Sequence, residues 1–427
     1  MSEKSSFPIP NNIQADETTG RYIITFRDDR VTEGLQALRE VGMTELPSAA
    51  DFPESATDMA QIEAAGGMVF PTLGMAVVTL EEDALNRVTA AAEEDSPILD
   101  IEPERIFYAI ARELQEDYLR GYSDAVNHLY ETATVTAPTN GVEPTESYSD
   151  DAQSTWGLKA TKVINSRYTG RGIRVAVLDT GFDLQHADFR GRKIVSKSFV
   201  SGESVQDGHG HGTHCIGTAC GFKDVNGRRY GVAYESTIFV GKVLSNAGSG
   251  STAGILAGME WAIVNQCQVI SMSLGNNVPT PSTAYETAGR RALQNGCLIV
   301  AAAGNGRRNG YTVGQPANSP SIMAVGAINN SLQLAPFSSG SGSAPGANVD
   351  IAGPGVAVYS SIPMNKGRYA SFNGTSMATP HVAGIAALFA QAHHARGWQL
   401  WQLLTSRARR LPLPASDVGA GLVQAPM

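Results

Sequence analysis

Apolar residues recur along this chain in two rhythms, and the change falls near residue 150. In the first third, RYIITF (21–26) alternates as a strand does, and VTEGLQALREVG (31–42) carries apolar residues at helical spacing. MVFPTLGMAVVTL (68–80) reads as strand material broken between Pro71 and Gly74, EEDALNRVTAAAEE (81–94) as a helix with an acidic start, and ILDIEPERIFYAI (98–110) as an extended apolar run. The order β-α-β-β-α-β predicts a small ferredoxin-like α+β domain over residues 20–110, preceded by a loose polar tail over 1–19. Ile110, Leu114, Tyr118, Tyr122, Val126 and Leu129 then follow at three- and four-residue steps and predict an amphipathic helix. It leads into a Thr/Pro/Ser/Gly-rich linker, so that helix and linker fill 111–151.

From 152 to 427 short apolar runs ending in turn residues alternate with helical stretches. IRVAVLDTG, STIFVGKVL, QVISMSLG, CLIVAAAGN and SIMAVGAI have the composition of strands buried on both faces of a parallel sheet. TAGILAGMEWAIVNQ and TAYETAGRRALQNG lie between them as helices, which predicts an α/β domain with a parallel sheet flanked by helices. In such sheets functional groups collect at the carboxyl ends of the strands.

Composition narrows the picture. With 42% hydrophobic and 17% charged residues the chain is that of a globular protein, and no run of 18 apolar residues predicts a membrane span. The N-terminal MSEKSSFPIPNNIQ has no apolar core, so no Sec signal is expected; synthesis in the cytoplasm follows, with a non-Sec export route left open. Cys215, Cys220, Cys267 and Cys297 have neither disulfide-framework nor metal-ligand spacing and are expected to be small buried apolar residues. Charge is split sharply: residues 1–151 hold 30 acidic and 9 basic side chains, a net −21, while 152–427 hold 11 and 23, a net +12. The basic residues are scattered and not interleaved with aromatics, so the expected partner is the acidic segment of the same chain, with no nucleic acid and no membrane.

The chemistry lies at three places. Asp179 closes the strand RVAVLDTG; His209, His211 and His214 crowd into DGHGHGTHC; and Ser376 stands where a glycine-containing turn enters an apolar helix in NGTSMATPHVAGIAALFA. Singly these read as a turn aspartate, an HxHxxH metal site and a helix N-cap. Together, in one α/β unit, they supply what a serine nucleophile requires: an imidazole to take its proton and a carboxylate to hold that imidazole in one tautomer. DTG, HGTH and GTSMATPH resemble the three active-site signatures of the subtilisin family, over roughly the last two-thirds of the chain.

The resemblance implies a serine endopeptidase with Asp179 as orienting carboxylate, His211 as general base then acid, and Ser376 as nucleophile. AAAGN resembles the family's oxyanion segment, which implies that the Asn305 side chain and the Ser376 backbone N–H stabilise the tetrahedral intermediate. Ser273, Leu274 and Gly275 on one side and Gly248, Ser249 and Gly250 on the other resemble the strands that pair with an extended peptide. Ala302, Ala303, Gly304 and Gly314 would line the pocket for the residue before the cut bond, small and free of acid, so large apolar residues are expected there. Cys215 follows the base as in the proteinase K branch.

Relatives are commonly made with an N-terminal propeptide of β-α-β-β-α-β build that assists folding and inhibits until removed, and residues 20–110 resemble that module. Because helix and linker follow it, and Ala152-Gln153-Ser154 resembles the mature start of bacterial subtilisins, self-processing is expected between about Thr136 and Asp151. The resemblance also implies structural calcium held by Gln153, Asp188, Asp224 and Asn226, oxygen donors from three segments; the loop differs in length and carries Arg228 and Arg229, and the alternative is an Asx turn without metal. Two competing functions are a permanently propeptide-inhibited protease and a catalytically silent binding protein.

Overall fold

A computed structural model describes residues 17–40, 42–43, 46–49, 65–90, 96–110, 112–113 and 146–427. Most of the tail, most of the helix expected after Ile110 and most of the linker lie outside these residues; Arg112 and Glu113, at the start of that expected helix, form a strand instead because they pair with a neighbouring strand.

The N-terminal module runs β1 (Thr18–Phe26), α1 (Val31–Glu40), β2 (Gly67–Phe70), β3 (Met75–Val78), α2 (Glu82–Ala90) and β4 (Ile98–Ala109). Its strands form an antiparallel sheet in the order β4-β1-β3-β2. The break read between Pro71 and Gly74 is the turn joining β2 and β3, where Gly74 N–H donates to the Pro71 carbonyl at 3.2 Å. A two-residue strand, β5 (Arg112–Glu113), follows β4 directly.

The larger body holds a seven-stranded parallel sheet of order β14-β13-β12-β10-β6-β8-β7. Its members are β6 (Arg174–Asp179), β7 (Ile194–Ser198), β8 (Thr237–Lys242), β10 (Val269–Met272), β12 (Leu298–Ala302), β13 (Met323–Ile328) and β14 (Ile351–Pro354). Two short strands, β9 (Ser249–Ser251) and β11 (Leu274–Gly275), lie outside the parallel sheet, and a hairpin joins β15 (Val358–Ser361) to β16 (Tyr369–Asn373). The helices are α3 (Trp156–Ala160), α4 (His211–Cys220), α5 (Thr252–Val264), α6 (Thr283–Gln294), α7 (Thr375–His393), α8 (Trp398–Ser406) and the one-turn α9 (Ala415–Val418).

Strand alternation divides the core in two. On β6, Val175 and Val177 face the side of α4 and α7, while Ala176 and Leu178 face α5 and α6. Both faces are predominantly apolar, which explains the continuous hydrophobic runs read in the sequence. No helix among the described residues is long and apolar enough to cross a membrane.

Candidate active site

The carboxyl ends of β6, β10 and β12 meet the N-termini of α4 and α7 on one rim of the sheet. Asp179 is the last residue of β6 and His211 the first of α4. Helix α4 comes close enough to the β6 exit that a Cβ on Gly212 would lie 2.2 Å from the Gly181 carbonyl oxygen, so only glycine fits there. The loop before it is fixed by Asp207, whose carboxylate accepts from the N–H groups of His209, Gly210 and Thr213 at 3.1, 2.7 and 2.8 Å. As a result His211 Nδ1 lies 2.7 Å from Asp179 Oδ1, with both side chains only 1% exposed. Burial alone disfavours the imidazolium, but the Asp179 carboxylate, with Cys215 beside it, outweighs burial and holds the His211 pKa well above the ordinary histidine value.

The remaining histidines diverge from this pair. His214 Nε2 donates to the Val358 carbonyl at 2.9 Å and its ring stacks on Phe372; burial pushes its pKa down to about 3. Burial likewise lowers His209 to about 4. The HxHxxH pattern therefore does not converge on one point. The cluster that does gather metal-type donors among the described residues is Asp179, His211 and Cys215, where the imidazole and carboxylate already satisfy each other.

Ser376 is the second residue of α7. Pro380, one turn further on, has no N–H to offer the Ser376 carbonyl. That freed oxygen accepts instead from Ser273 Oγ at 2.8 Å and from the Cys215 thiol at 3.5 Å, which pins the start of α7 against β10 and α4. Burial raises the pKa of Cys215, consistent with a structural thiol. The Ser376 hydroxyl donates to the Ser273 carbonyl at 3.0 Å, and His211 Nε2 has no hydrogen-bond partner among the described residues. The serine is thus hydrogen-bonded to the Ser273 carbonyl and not to the imidazole.

Asn305 is oriented by α7: its Oδ1 accepts from the Thr375 N–H at 2.9 Å and from Thr375 Oγ1 at 3.0 Å, which aims the amide NH2 at the cleft. There Asn305 Nδ2 donates to the Ile110 carbonyl at 3.1 Å. The cleft is filled by this chain's own β4. On one side β4 pairs antiparallel with β9, with Tyr108 opposite Ser249 and Phe107 opposite Gly250. On the other side it pairs with β11, with Ala109 opposite Leu274 and Tyr108 opposite Gly275. Ala109 N–H donates to the Gly248 carbonyl at 2.9 Å and Ile110 N–H approaches the Ser273 carbonyl at 3.4 Å. All six strand-pairing positions read from the sequence therefore border one extended segment. Beyond it, Arg112 and Glu113 pair with Asn373 and Phe372 of β16.

Ile110 is seated against Gly275, where its Cδ1 lies 2.8 Å from the position a Cβ would take. Of the expected pocket, Ala302 and Ala303 are buried at the end of β12, Gly304 adopts φ +111°, and Gly314 abuts the Asn276 carbonyl so closely that a Cβ would lie 1.9 Å from it. Phe107 is fully buried, edge-to-face with Tyr285 at 5.3 Å.

Sequence reasoning missed Thr375, Asp207 and the occupancy of the cleft by Ile110. It also missed the acidic side chains that dock the module: Glu104 Oε1 accepts from the Ala253 N–H at 2.8 Å in the first turn of α5, and Glu102 accepts from Ser282, the N-cap of α6. In return Glu260 on α5 accepts from the N–H groups of Thr72 and Leu73, each at 2.9 Å. The acidic-on-basic charge split was the one signal pointing to them.

The two carboxylates among the four residues expected to hold calcium, Asp188 and Asp224, do not fit that ion. Calcium takes six to eight oxygens, but the Asp188 carboxylate is filled by the hydroxyls of Tyr230 and Tyr369 and by Arg368 Nη2 at 3.3 Å. Asp224 Oδ1 closes an Asx turn on the N–H groups of Asn226 and Arg228, and its Oδ2 takes the Tyr359 hydroxyl at 3.0 Å. The Gln153 carbonyl is bound by the Arg229 N–H at 2.8 Å.

Comparison with known proteins agrees with this arrangement. Residues 170–421 match the subtilase family, peptidase S8. The chain is 45% identical over 240 residues to subtilisin E of Bacillus subtilis (strain 168), covering 55% of this chain and 60% of that protein, so the match spans less than two thirds of that relative. It is 45% identical over 240 residues to a subtilisin of Bacillus pumilus, covering 55% and 83%. Over 277 residues it is 43% identical to alkaline elastase YaB of Bacillus sp. (strain YaB), covering 63% and 68%. With most of the body inside the family match and the same segments forming the rim just described, the chain belongs to the subtilase family.

Proposed function

We propose that this protein is a serine endopeptidase whose first substrate is its own Ile110–Ala111 bond, with residues up to Ile110 acting as an inhibitory propeptide. One observation carries the reading: the Ile110 carbonyl oxygen rests on the Asn305 amide while β4 lies between β9 and β11. In this reading Ser376 rotates off the Ser273 carbonyl and transfers its proton to His211 as it attacks the Ile110 carbonyl carbon. Asp179 holds the imidazole and stabilises the imidazolium, and Asn305 donates to the oxygen as negative charge develops there. His211 then gives the proton to the departing Ala111 nitrogen, and water hydrolyses the ester by the reverse route.

The site supports a preference for apolar residues before the cut bond, Ile110 being the first example, and for an aromatic residue three positions further back, where Phe107 meets Tyr285. After the cut, β4 remains paired on both sides and the Glu102, Glu104 and Glu260 contacts remain made, so the released module stays bound as a product-like inhibitor. This assignment replaces the processing point expected in the linker. Tyr148, at the end of that stretch, is held by Asn330, with its N–H 2.8 Å from the Asn330 carbonyl.

Intact-mass analysis with N-terminal sequencing tests the proposal. A new N-terminus at Ala111, absent in Ser376→Ala, is expected; a first cut within 136–151, or unchanged cutting in Ser376→Ala, would refute it.

A further inference from the structure

Where relatives suggest a calcium ion, this chain gathers two carboxylates, two guanidinium groups and three tyrosines. Asp188 and Asp224 are almost fully buried, with side chains 4% and 0% exposed. Neither carries an oxygen left over: every one of their four carboxylate oxygens accepts from a tyrosine hydroxyl, a backbone N–H or Arg368. Tyr369 bridges the two halves, donating its hydroxyl to Asp188 while accepting from the Val225 N–H at 3.1 Å in the Asp224 loop.

The cations are held by rings as well as by charge. The Arg228 guanidinium lies 4.8 Å from the centre of Tyr359 and that of Arg368 lies 5.5 Å from the centre of Tyr369, while the two rings stack on each other at 5.5 Å. Arg228 also faces Asp150 at 3.9 Å, and the next residue, Arg229, pairs through its backbone with Gln153 and Thr155. The cluster therefore ties the start of the body to the 224–229 loop and to β16. A fixed positive charge already faces each of the Asp188 and Asp224 carboxylates, so a divalent cation entering here would have to expel a guanidinium and break tyrosine hydrogen bonds.

We infer that Arg228 and Arg368, held by Tyr359 and Tyr369 against an Asp224 and Asp188 whose oxygens Tyr230, Tyr359 and Tyr369 fill, do the work of a structural calcium ion, so that this site takes no calcium. The tying function is retained and the metal is not.

The test uses full-length Ser376→Ala protein, which removes self-digestion. Terbium, a calcium probe excited through nearby tyrosines, should give no saturable emission that calcium competes away and that Asp188→Asn abolishes. The thermal midpoint should be the same in chelator and in millimolar calcium. Arg368→Leu should lower that midpoint by several degrees. If that variant does not fold, Arg228→Leu and Tyr369→Phe, each keeping most of the cluster, should lower it by a smaller step. Terbium emission lost in Asp188→Asn, a fall in the midpoint on chelation that Asp188→Asn also removes, or arginine variants as stable as the parent would each overturn the inference.

Discussion

The two sheets of this molecule are made of similar strands but are closed in different ways. The seven-stranded sheet is covered on both faces by helices of its own domain, α4 and α7 on one side and α5 and α6 on the other. Among the described residues the four-stranded sheet brings α1 and α2. Ile24, Phe26, Val69, Ala76 and Val78 pack beneath them with Leu38 and Val88, while Ile23, Met68, Phe70, Met75 and Val77, the alternate residues, pack into the cluster of α5 and α6. One sheet is covered by its own domain, and the other takes the cover of its second face from the body whose cleft its β4 fills. Under the proposed function, folding of the module and inhibition of the cleft are then one event, because the surface that buries its second face is the surface beside the candidate active site.

The largest expected effect follows directly. Each of the five large apolar side chains facing the body is worth about 1.5–3 kcal/mol when buried, so residues 1–110 alone should lack a cooperative thermal transition. Circular dichroism of that fragment checks it, and a transition matching the one seen with the body present would break the comparison. Next, Asn305→Ala should slow self-cutting by about 10²–10³-fold, the range measured for the equivalent change in subtilisin itself, while the module stays docked through its other contacts. Single-turnover appearance of the 110-residue fragment reads this.

A third expectation concerns the docking carboxylates. Glu104→Ala removes a buried charge-assisted acceptor from the first turn of α5 and leaves Arg21, its 2.6 Å partner, unpaired. At about 1.5–3 kcal/mol for such a bond, the cut module should inhibit trimmed enzyme roughly 10- to 150-fold more weakly.

The fourth is set by pH. In the proposed mechanism His211 must be neutral to accept the serine proton, and Asp179, against burial, holds its pKa well above the ordinary value. The rate should therefore rise about tenfold per pH unit up to that pKa and level off above it. In Asp179→Asn the acid limb should move to lower pH as the overall rate falls; an acid limb unmoved in that variant would exclude His211 as the group observed. Smallest is the rim: Asp28 meets Arg290 and Arg291 with its own side chain half exposed. Asp28→Asn should weaken inhibition only a few-fold, as exposed ion pairs of about 0.2–1 kcal/mol do, and salt should erase the difference.

Much of this was legible in the sequence because it rests on local pattern. The doubly apolar strands, the βαββαβ order and the motifs around Asp179, His211 and Ser376 are short-range signals, and the elements that carry them stand where the pattern put them. The occupant of the cleft was not legible, since pairing of Tyr108 with Ser249 and Gly275 joins residues more than 140 positions apart with no sign in either segment. The same holds for Asp188. Its position suggested calcium, whereas its partners Arg368 and Tyr369 come from 180 residues away and replace a metal's charge with their own. The unusual Arg228 and Arg229 in the loop were the only local hint.

The slot between β9 and β11 admits one strand, with backbone hydrogen bonds made along both of its edges. A polypeptide already paired in a sheet or wound in a helix has no free edges to offer, so it must first surrender its own structure over a stretch of about half a dozen residues. Under the proposed function, susceptibility of a protein to cutting should accordingly track how often such a stretch opens, and the slot would work as a gauge of local order in whatever it meets.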